Sequence, residues 1–301
     1  MGIEQAIKTS KLNDKVVVVD DTMLELFQYH LLRMIREVSK ALDGQGIRWC
    51  LSGGSILGAV RHQGFIPWDD DIDIFMERAE FEKLKKVFAR ILGDRYVLRV
   101  PGDEGYLLHF PRIEDKKCFV KSIQSAGEEE NGLFIDVFIL ENTYNNALLR
   151  KLHGIRSTAY LFADSCIRMD LCKENLLYYT NQNPAVKKEV NRRAGFAFLF
   201  KFRKTEKWMK ASDRCFSSVK KKTDYLVCPS GAKHFFGEIF LREKMDGYQR
   251  LPFDKLELPV PKDYDYYLRT RYGNDYMTLP PVEKRERHVY AKVKLAEKQE
   301  A

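Results

Sequence analysis

Leu24, Phe27, Leu31, Met34, Ile35, Val38 and Leu42 recur at three- and four-residue spacing, which predicts an amphipathic helix over Leu24–Leu42. Asp20 or Thr22 offers a cap at its start, and Gly44 or Gly46 a place to stop. Ile47–Leu51 then reads as a strand that runs into Ser52-Gly53-Gly54-Ser55, a tight turn opening a second, short helix. Ile72–Met76 is a second apolar strand, and Phe81, Leu84, Val87, Phe88 and Ile91 form the buried stripe of the helix after it. Short strands are expected at Tyr96–Val100, Tyr106–Phe110 and Cys118–Lys121, and a stronger one at Phe134–Leu140. Past Asn145 the texture turns helical, basic and aromatic, with a break at Asn183-Pro184. Past Leu251, prolines punctuate a tail rich in tyrosine. The class this implies is α/β (α+β), a mixed sheet with flanking helices and a basic helical insertion.

Composition narrows the function classes. The longest apolar stretches, Val16–Val19 and Ala194–Phe200, fall far short of the roughly 20 residues that cross a bilayer. The opening MGIEQAIKTSKLNDK has no apolar signal core, and the six cysteines are scattered without a C-x-x-C pair. Both point to a cytoplasmic protein with reduced thiols rather than a disulfide scaffold or zinc site. Net charge is +8, yet residues 147–222 carry 18 basic and 6 acidic side chains, net +12, against −4 for the rest. Such segregation suggests an anionic partner, with solvated helix faces as the plain alternative. No nucleic-acid-binding motif accompanies it, so nucleic acid is not expected. The apolar run Ala194–Phe202 has basic flanks and suits either a membrane interface or a buried helix; a buried helix is favoured. His30, His109 and His153 lack partners for a catalytic triad and read as structural.

The chemistry concentrates in residues 51–76, LSGGSILGAVRHQGFIPWDDDIDIFM. Glycines at 53 and 54 let the backbone approach a ligand, and the helix start behind them offers free N–H groups to a phosphate. Asp71 and Asp73 alternate with Ile72 and Ile74, so both carboxylates fall on one face of a strand. Their repulsion is relieved if a hard divalent cation, magnesium or manganese, sits between them. Asp69 and Asp70 are better suited to capping, or to pairing with Arg61, than to metal binding. Asp136 repeats the theme, an acid among bulky strand formers, where an unpaired charge is costly. It reads as a third metal-site carboxylate and a base for an attacking hydroxyl, or else as the partner of a core arginine such as Arg112.

The stretch GGSILGAVRHQGFIPWDDDIDI closely resembles the signature of the LicD family, related to fukutin, of cytidine-diphosphate-alcohol-dependent phosphotransferases with a nucleotidyltransferase fold. VPKDYDYYLRTRYGNDYMTLPPVEKRERH, residues 260–288, resembles the same family's closing motif. The likeness covers residues 24–142 and 235–290 and is nearly silent between about 145 and 230. It implies metal-binding and catalytic acids at Asp71, Asp73 and Asp136, with Mg2+ or Mn2+ as cofactor, and a phosphate turn at Gly53, Gly54 and Ser55. Many relatives have threonine in place of Ser55, a change that keeps the hydroxyl. Arg61, His62, Arg285 and His288 follow as phosphate or substrate contacts, and Trp68 is weighed as a cytosine platform against a core role. The donor implied is a CDP-alcohol, CDP-choline by default, and the acceptor a hydroxyl of a surface glycan or its lipid-linked precursor, such as lipopolysaccharide, capsular polysaccharide or teichoic acid. The organisation expected is a catalytic core over 1–145, a basic helical subdomain over 146–230 facing acceptor or membrane, and a segment over 231–301 completing the cleft. Alternatives are nucleotidyl transfer to a small hydroxylated substrate, a glycosyltransferase, and a membrane-surface binding protein with an inactive site.

Overall fold

A computed structural model describes residues 6–7, 10–17, 19–125, 131–282, 285 and 287–297. Helix α1 (Asp21–Gly44) forms where the periodicity places it, with the Asp20 carboxylate accepting the Met23 N–H at 2.8 Å. Its buried stripe, including Phe27, Leu31, Met34, Ile35 and Val38, covers one face of the central sheet, each such side chain contributing about 1.5–3 kcal/mol. Strand β1 (Cys50–Leu51) leads into α2 (Gly53–His62), and β2 (Asp73–Glu77) into α3 (Arg78–Ile91), whose buried side is Phe81, Leu84 and Phe88. Strands β3 (Tyr96–Arg99), β4 (Arg112–Ser122) and β5 (Asn131–Asn142) complete the first half.

The sheet runs β1-β2-β5-β4. Strand β2 is parallel to β5, whereas β1 and β4 are antiparallel to their neighbours. The outer edge of β4 is shared by β3 along one half and by β10 (Tyr290–Lys294) along the other. The far end of β5 pairs with β6 (Tyr225–Val227), which pairs with β7 (Ile239–Leu241). The registers Asp73↔Asp136 and Arg112↔Asp136 set three charged residues in one row across β2, β5 and β4.

Two strand expectations differ from the structure. Tyr106–Phe110 is not a strand but an irregular segment spanned by the Tyr106 hydroxyl, which donates to the Phe110 carbonyl at 2.8 Å. Strand β4 begins at Arg112, well before Cys118, because its polar stretch Glu114–Lys117 hides the alternation: Asp115 is buried against Arg95, 2.7 Å away, and the register shifts between Glu114 and Phe119.

The basic segment is three helices, α4 (Ala147–Tyr179), α5 (Pro184–Ala194) and α6 (Thr205–Phe216). Asn146 and Asn183 cap the first two, and Met169, Cys172, Leu176, Val186 and Val190 form a separate apolar cluster between them. The aromatic run after α5 is a short 3-10 turn (Ala197–Phe200), not the buried helix favoured from sequence: Phe198 is 68% and Phe202 77% exposed. Short helices α7 (His234–Gly237) and α8 (Arg242–Met245), the hairpin β8 (Tyr248–Phe253) with β9 (Leu256–Pro261), and α9 (Tyr264–Tyr272) return the chain to the sheet. Among the described residues no helix is long and apolar enough to cross a membrane.

Candidate active site

The glycine turn and the acid strand meet at the head of α2. A Cβ added at Gly53 would lie 2.7 Å from Asp73 Oδ2, and one at Gly54 would lie 2.8 Å from Asp69 Oδ2. Gly53 also takes φ of +52°, so glycine is required both by the backbone and by the carboxylate against it. The Ser55 hydroxyl accepts the Asp73 N–H at 3.0 Å, and the Ser52 N–H donates to the Asp73 carbonyl at 2.9 Å. Ser55 therefore fixes where β2 begins. The Gly53 N–H is already occupied, donating to the Tyr267 hydroxyl at 2.9 Å.

Asp73 opens β2 opposite Asp136, and Asp71, which precedes the strand, is near enough for the charge of Asp136 to act on it and for its own to act on Asp73. Burial first, then the charges of neighbouring carboxylates, raises Asp73 well above the usual carboxylate range; its neighbours in that sense are Asp71, Asp136 and Asp69. Asp69 is raised likewise, by burial and then by Asp71 and Asp70. For Asp71 burial outweighs the pull of His288 and leaves the carboxyl at about 6. Among the described residues neither Asp69 nor Asp73 has a cationic side chain within ion-pair distance, while Asp71 has only His288, at 3.8 Å.

Asp136 differs from the other two. Both its oxygens accept from Arg112, Nε to Oδ1 at 2.5 Å and Nη2 to Oδ2 at 3.2 Å, and the guanidinium lies 3.5 Å over the Phe134 ring. The arginine partner weighed from sequence is thus present. Two of the roughly four lone-pair positions of the carboxylate are used by it and two remain.

Asp70 pairs with His288, not with Arg61. His288 Nδ1 stands 2.9 Å from Asp70 Oδ1, and its backbone N–H reaches both carboxylate oxygens at 3.3 Å. Burial alone would lower the imidazole, but the Asp70 hydrogen bond and the charges of Asp71, Asp70 and Asp136 raise it to about 10. His288 is therefore an imidazolium beside the acids at neutral pH. Arg61 and His62 sit at the opposite end of α2, about 12 Å along its axis from Gly53. Arg61 donates to the Tyr276 carbonyl and to His62 Nε2, each at 3.0 Å, so His62 is a neutral acceptor there. Its imidazole is lowered by burial and then by Arg61. Trp68 is close to this group, edge-on to His62 at 6.3 Å, with the Arg285 guanidinium 4.3 Å over its indole. The predicted residues thus form two groups: Gly53, Gly54, Ser55, Asp71, Asp73, Asp136 and His288 around the acid row, and Arg61, His62 and Arg285 around Trp68.

Sequence reasoning missed Tyr267, Arg271 and Tyr272. Tyr267 holds Gly53, and the charge of Asp73 is felt at both Arg271 and Tyr272. Their signal was their place in the tyrosine-rich motif at 260–288, with no spacing to the acids that a linear reading could use.

As they stand, no three His, Cys, Asp or Glu side chains among the described residues are gathered tightly enough to hold a metal ion. The donor set nonetheless suits one: hard carboxylate oxygens, raised by burial and mutual repulsion, with no lysine or arginine among the described residues paired to Asp71 or Asp73. Asp71 and Asp73 would hold such a cation, with Asp136 contributing the lone pairs that Arg112 leaves.

Residues 46–153 match the family described as LicD/FKTN/FKRP, nucleotidyltransferase domain. The chain is 27% identical over 259 residues, 80% of its length and 86% of the relative's, to the lipopolysaccharide cholinephosphotransferase LicD of Haemophilus influenzae. It is also 41% identical over 66 residues to the human ribitol 5-phosphate transferase FKRP, 19% of this chain and 13% of that protein. The mouse FKRP protein is 47% identical over 47 residues, 14% of this chain and 10% of that protein. The matched span contains the glycine turn, Asp69 to Asp73 and the Arg112–Asp136 pair, so this chain carries in residues 46–153 a nucleotidyltransferase domain of the LicD/FKTN/FKRP family.

Proposed function

We propose that the chain is a phosphotransferase that moves a phospho-alcohol, phosphocholine by default, from a CDP-alcohol donor to a hydroxyl of a cell-surface glycan or its lipid-linked precursor. The observation that carries this reading is the row Asp73, Asp136 and Arg112 beside the Gly53-Gly54 turn, within a span similar to a cholinephosphotransferase and a ribitol 5-phosphate transferase. Two chemically different alcohols in those relatives' names leave transfer of a phospho-alcohol as the shared element, and the lipopolysaccharide in the first name supports a glycan acceptor.

Mg2+ or Mn2+ held by Asp71, Asp73 and Asp136 would neutralise charge on the diphosphate. The chain's own groups do the rest. Gly54 and Ser55 N–H groups at the head of α2, which have no intrahelical partner, bind a phosphate oxygen. His288, positively charged and anchored by Asp70, adds a second positive contact at the same edge. Trp68 and Arg285, at the other end of α2, take the nucleoside side of the donor. Asp136, fixed by Arg112, accepts the proton of the acceptor hydroxyl as that oxygen attacks the distal phosphorus; the bond to the bridging oxygen breaks and cytidine monophosphate leaves. All six cysteines are free and buried, which supports work in the reducing cytoplasm, and a lipid-linked acceptor would place the protein at the inner face of the membrane.

The test is incubation with magnesium, a panel of CDP-alcohols and candidate polysaccharides, following cytidine monophosphate. Acceptor-dependent release with one donor supports the reading. Pyrophosphate from a nucleoside triphosphate, with no monophosphate from any CDP-alcohol, replaces it with the nucleotidyl transfer that the domain's description favours.

A further inference from the structure

The basic helical segment carries a continuous apolar face that the rest of the protein does not cover. On α4, Leu148, Leu152 and Ile155 follow at helical spacing and are 66%, 53% and 51% exposed. The same stripe continues through Ala159 to Phe162, whose ring is 5.9 Å from that of Phe196. There the 3-10 turn projects Phe198, Leu199 and Phe202 outward. The Trp208 indole N–H donates to the Phe200 carbonyl at 2.8 Å, and its ring braces Phe200 and Phe202, each at 5.6 Å. The turn is therefore built to hold these side chains in water rather than to bury them.

Charge distinguishes the occupants. The segment is net +12, and Lys204 and Lys207, exposed beside the aromatic turn, have no acidic partner among the described residues. A second copy meeting this face through a two-fold axis would bring one basic surface against the same basic surface, which disfavours self-association. An anionic lipid surface answers both features: aromatic and aliphatic side chains enter the headgroup boundary, and lysines around them meet lipid phosphates.

We infer that the 3-10 turn with Phe198, Leu199 and Phe202, together with the exposed stripe of α4 and Lys204 and Lys207, docks the protein on an anionic phospholipid bilayer. The fold relates this face to the acid row. On α4, Asp164, two residues after Phe162, lies 4.0 Å from His109, and Arg112, three residues beyond His109, grips Asp136. Asp164 is on the opposite face of α4 from Phe162, so the acid row lies behind that helix, roughly one helix diameter plus at most about 11 Å of chain from the docked face. Docking stands on the surface alone; its service to a lipid-linked acceptor rests on the phosphotransferase reading.

The experiment is cosedimentation of the full-length protein with vesicles of phosphatidylcholine alone and with about one third phosphatidylglycerol. Wild type is expected to pellet with the anionic vesicles. Phe198→Ser with Phe202→Ser should lower binding at least about tenfold, as should Lys204→Glu with Lys207→Glu, while thermal melts stay at the wild-type position because all four side chains are exposed or at the surface. Asp71→Asn with Asp73→Asn should abolish transfer yet pellet as wild type, so failure of the docking and failure of the catalytic reading are told apart. Wild type remaining in the supernatant with anionic vesicles would overturn the inference. So would undiminished binding by the Phe198/Phe202 variant, or light scattering that shows a dimer which the same variant converts to monomer.

Discussion

Arg112 and Asp136 stand directly opposite one another in the antiparallel register of β4 and β5, with the guanidinium fork closed on both carboxylate oxygens at 2.5 and 3.2 Å. Asp73 is the partner of Asp136 on the other side. Asp136 is thus held between a cation and an acid, and its orientation is set before any substrate arrives.

Arg112→Lys keeps the charge and loses the fork. We expect kcat for transfer to fall about 10–100-fold with donor KM little changed, because a group that only orients Asp136 contributes to geometry rather than to donor binding. Arg112→Met leaves Asp136 charged and unpaired, and should cost about 3–5 kcal/mol of stability in denaturant unfolding. Wild-type turnover by the lysine variant would mean that the pair is structural only.

How far the sequence carried depends on where the physics was local. Helix α1, helix α3 and the cores of β2 and β5 were legible because one face of each is apolar at a fixed period. Strand β4 was half hidden, since Asp115 is buried by virtue of Arg95, twenty residues away, which no period can announce. The run at 194–202 is expected inside because aromatic runs usually are; the basic residues on either side and the brace from Trp208 hold Phe198 and Phe202 at the surface instead. At the site, Asp71, Asp73 and Asp136 were readable as acids among strand formers. The Asp70–His288 and Gly53–Tyr267 contacts join positions 218 and 214 residues apart, and only tertiary structure could pair them.

Asp71 and Asp73 repel each other more than their surroundings compensate. Asp71→Asn with Asp73→Asn should lower transfer by at least about a thousandfold, through loss of charge-matched positioning of the diphosphate. Without divalent cations the same variant should melt at or above the wild-type temperature, because burial and neighbouring carboxylates raise both groups. Millimolar magnesium should raise the wild-type Tm and leave the variant unmoved. Equal magnesium stabilisation of both proteins would remove these residues from the cation site.

His288 gains stability from its acid partner in a defined pH window. Its folded value of about 10 lies above the ordinary 6.5, so the native state binds the proton more tightly, and the contribution is complete below about pH 6.5 and lost as pH rises toward 10. His288→Gln should melt below wild type at pH 6.5, and the gap should close as the pH approaches 10. A gap that stays constant over this range would show that the ion pair with Asp70 contributes nothing.

Asp164 also loses stability as pH rises, but because the native state favours its neutral form rather than a charged one. Burial raises its carboxyl from 3.8 to about 7, and neither the hydrogen bond from Ser212, 2.5 Å from Oδ2, nor the charge of Arg168 offsets this. Its Oδ1 has no hydrogen-bond partner. Because the native state holds this proton more tightly than the unfolded chain, stability falls as pH rises from about 4 to 7 and stays reduced above. Asp164→Asn removes the charge while keeping a carbonyl acceptor for Ser212. The variant should therefore melt a few degrees above wild type at pH 8 and show no advantage at pH 4, read by thermal unfolding at the two pH values. An advantage of equal size at both would assign the effect to packing, and no advantage at pH 8 would mean that Asp164 is not the buried acid this environment makes it.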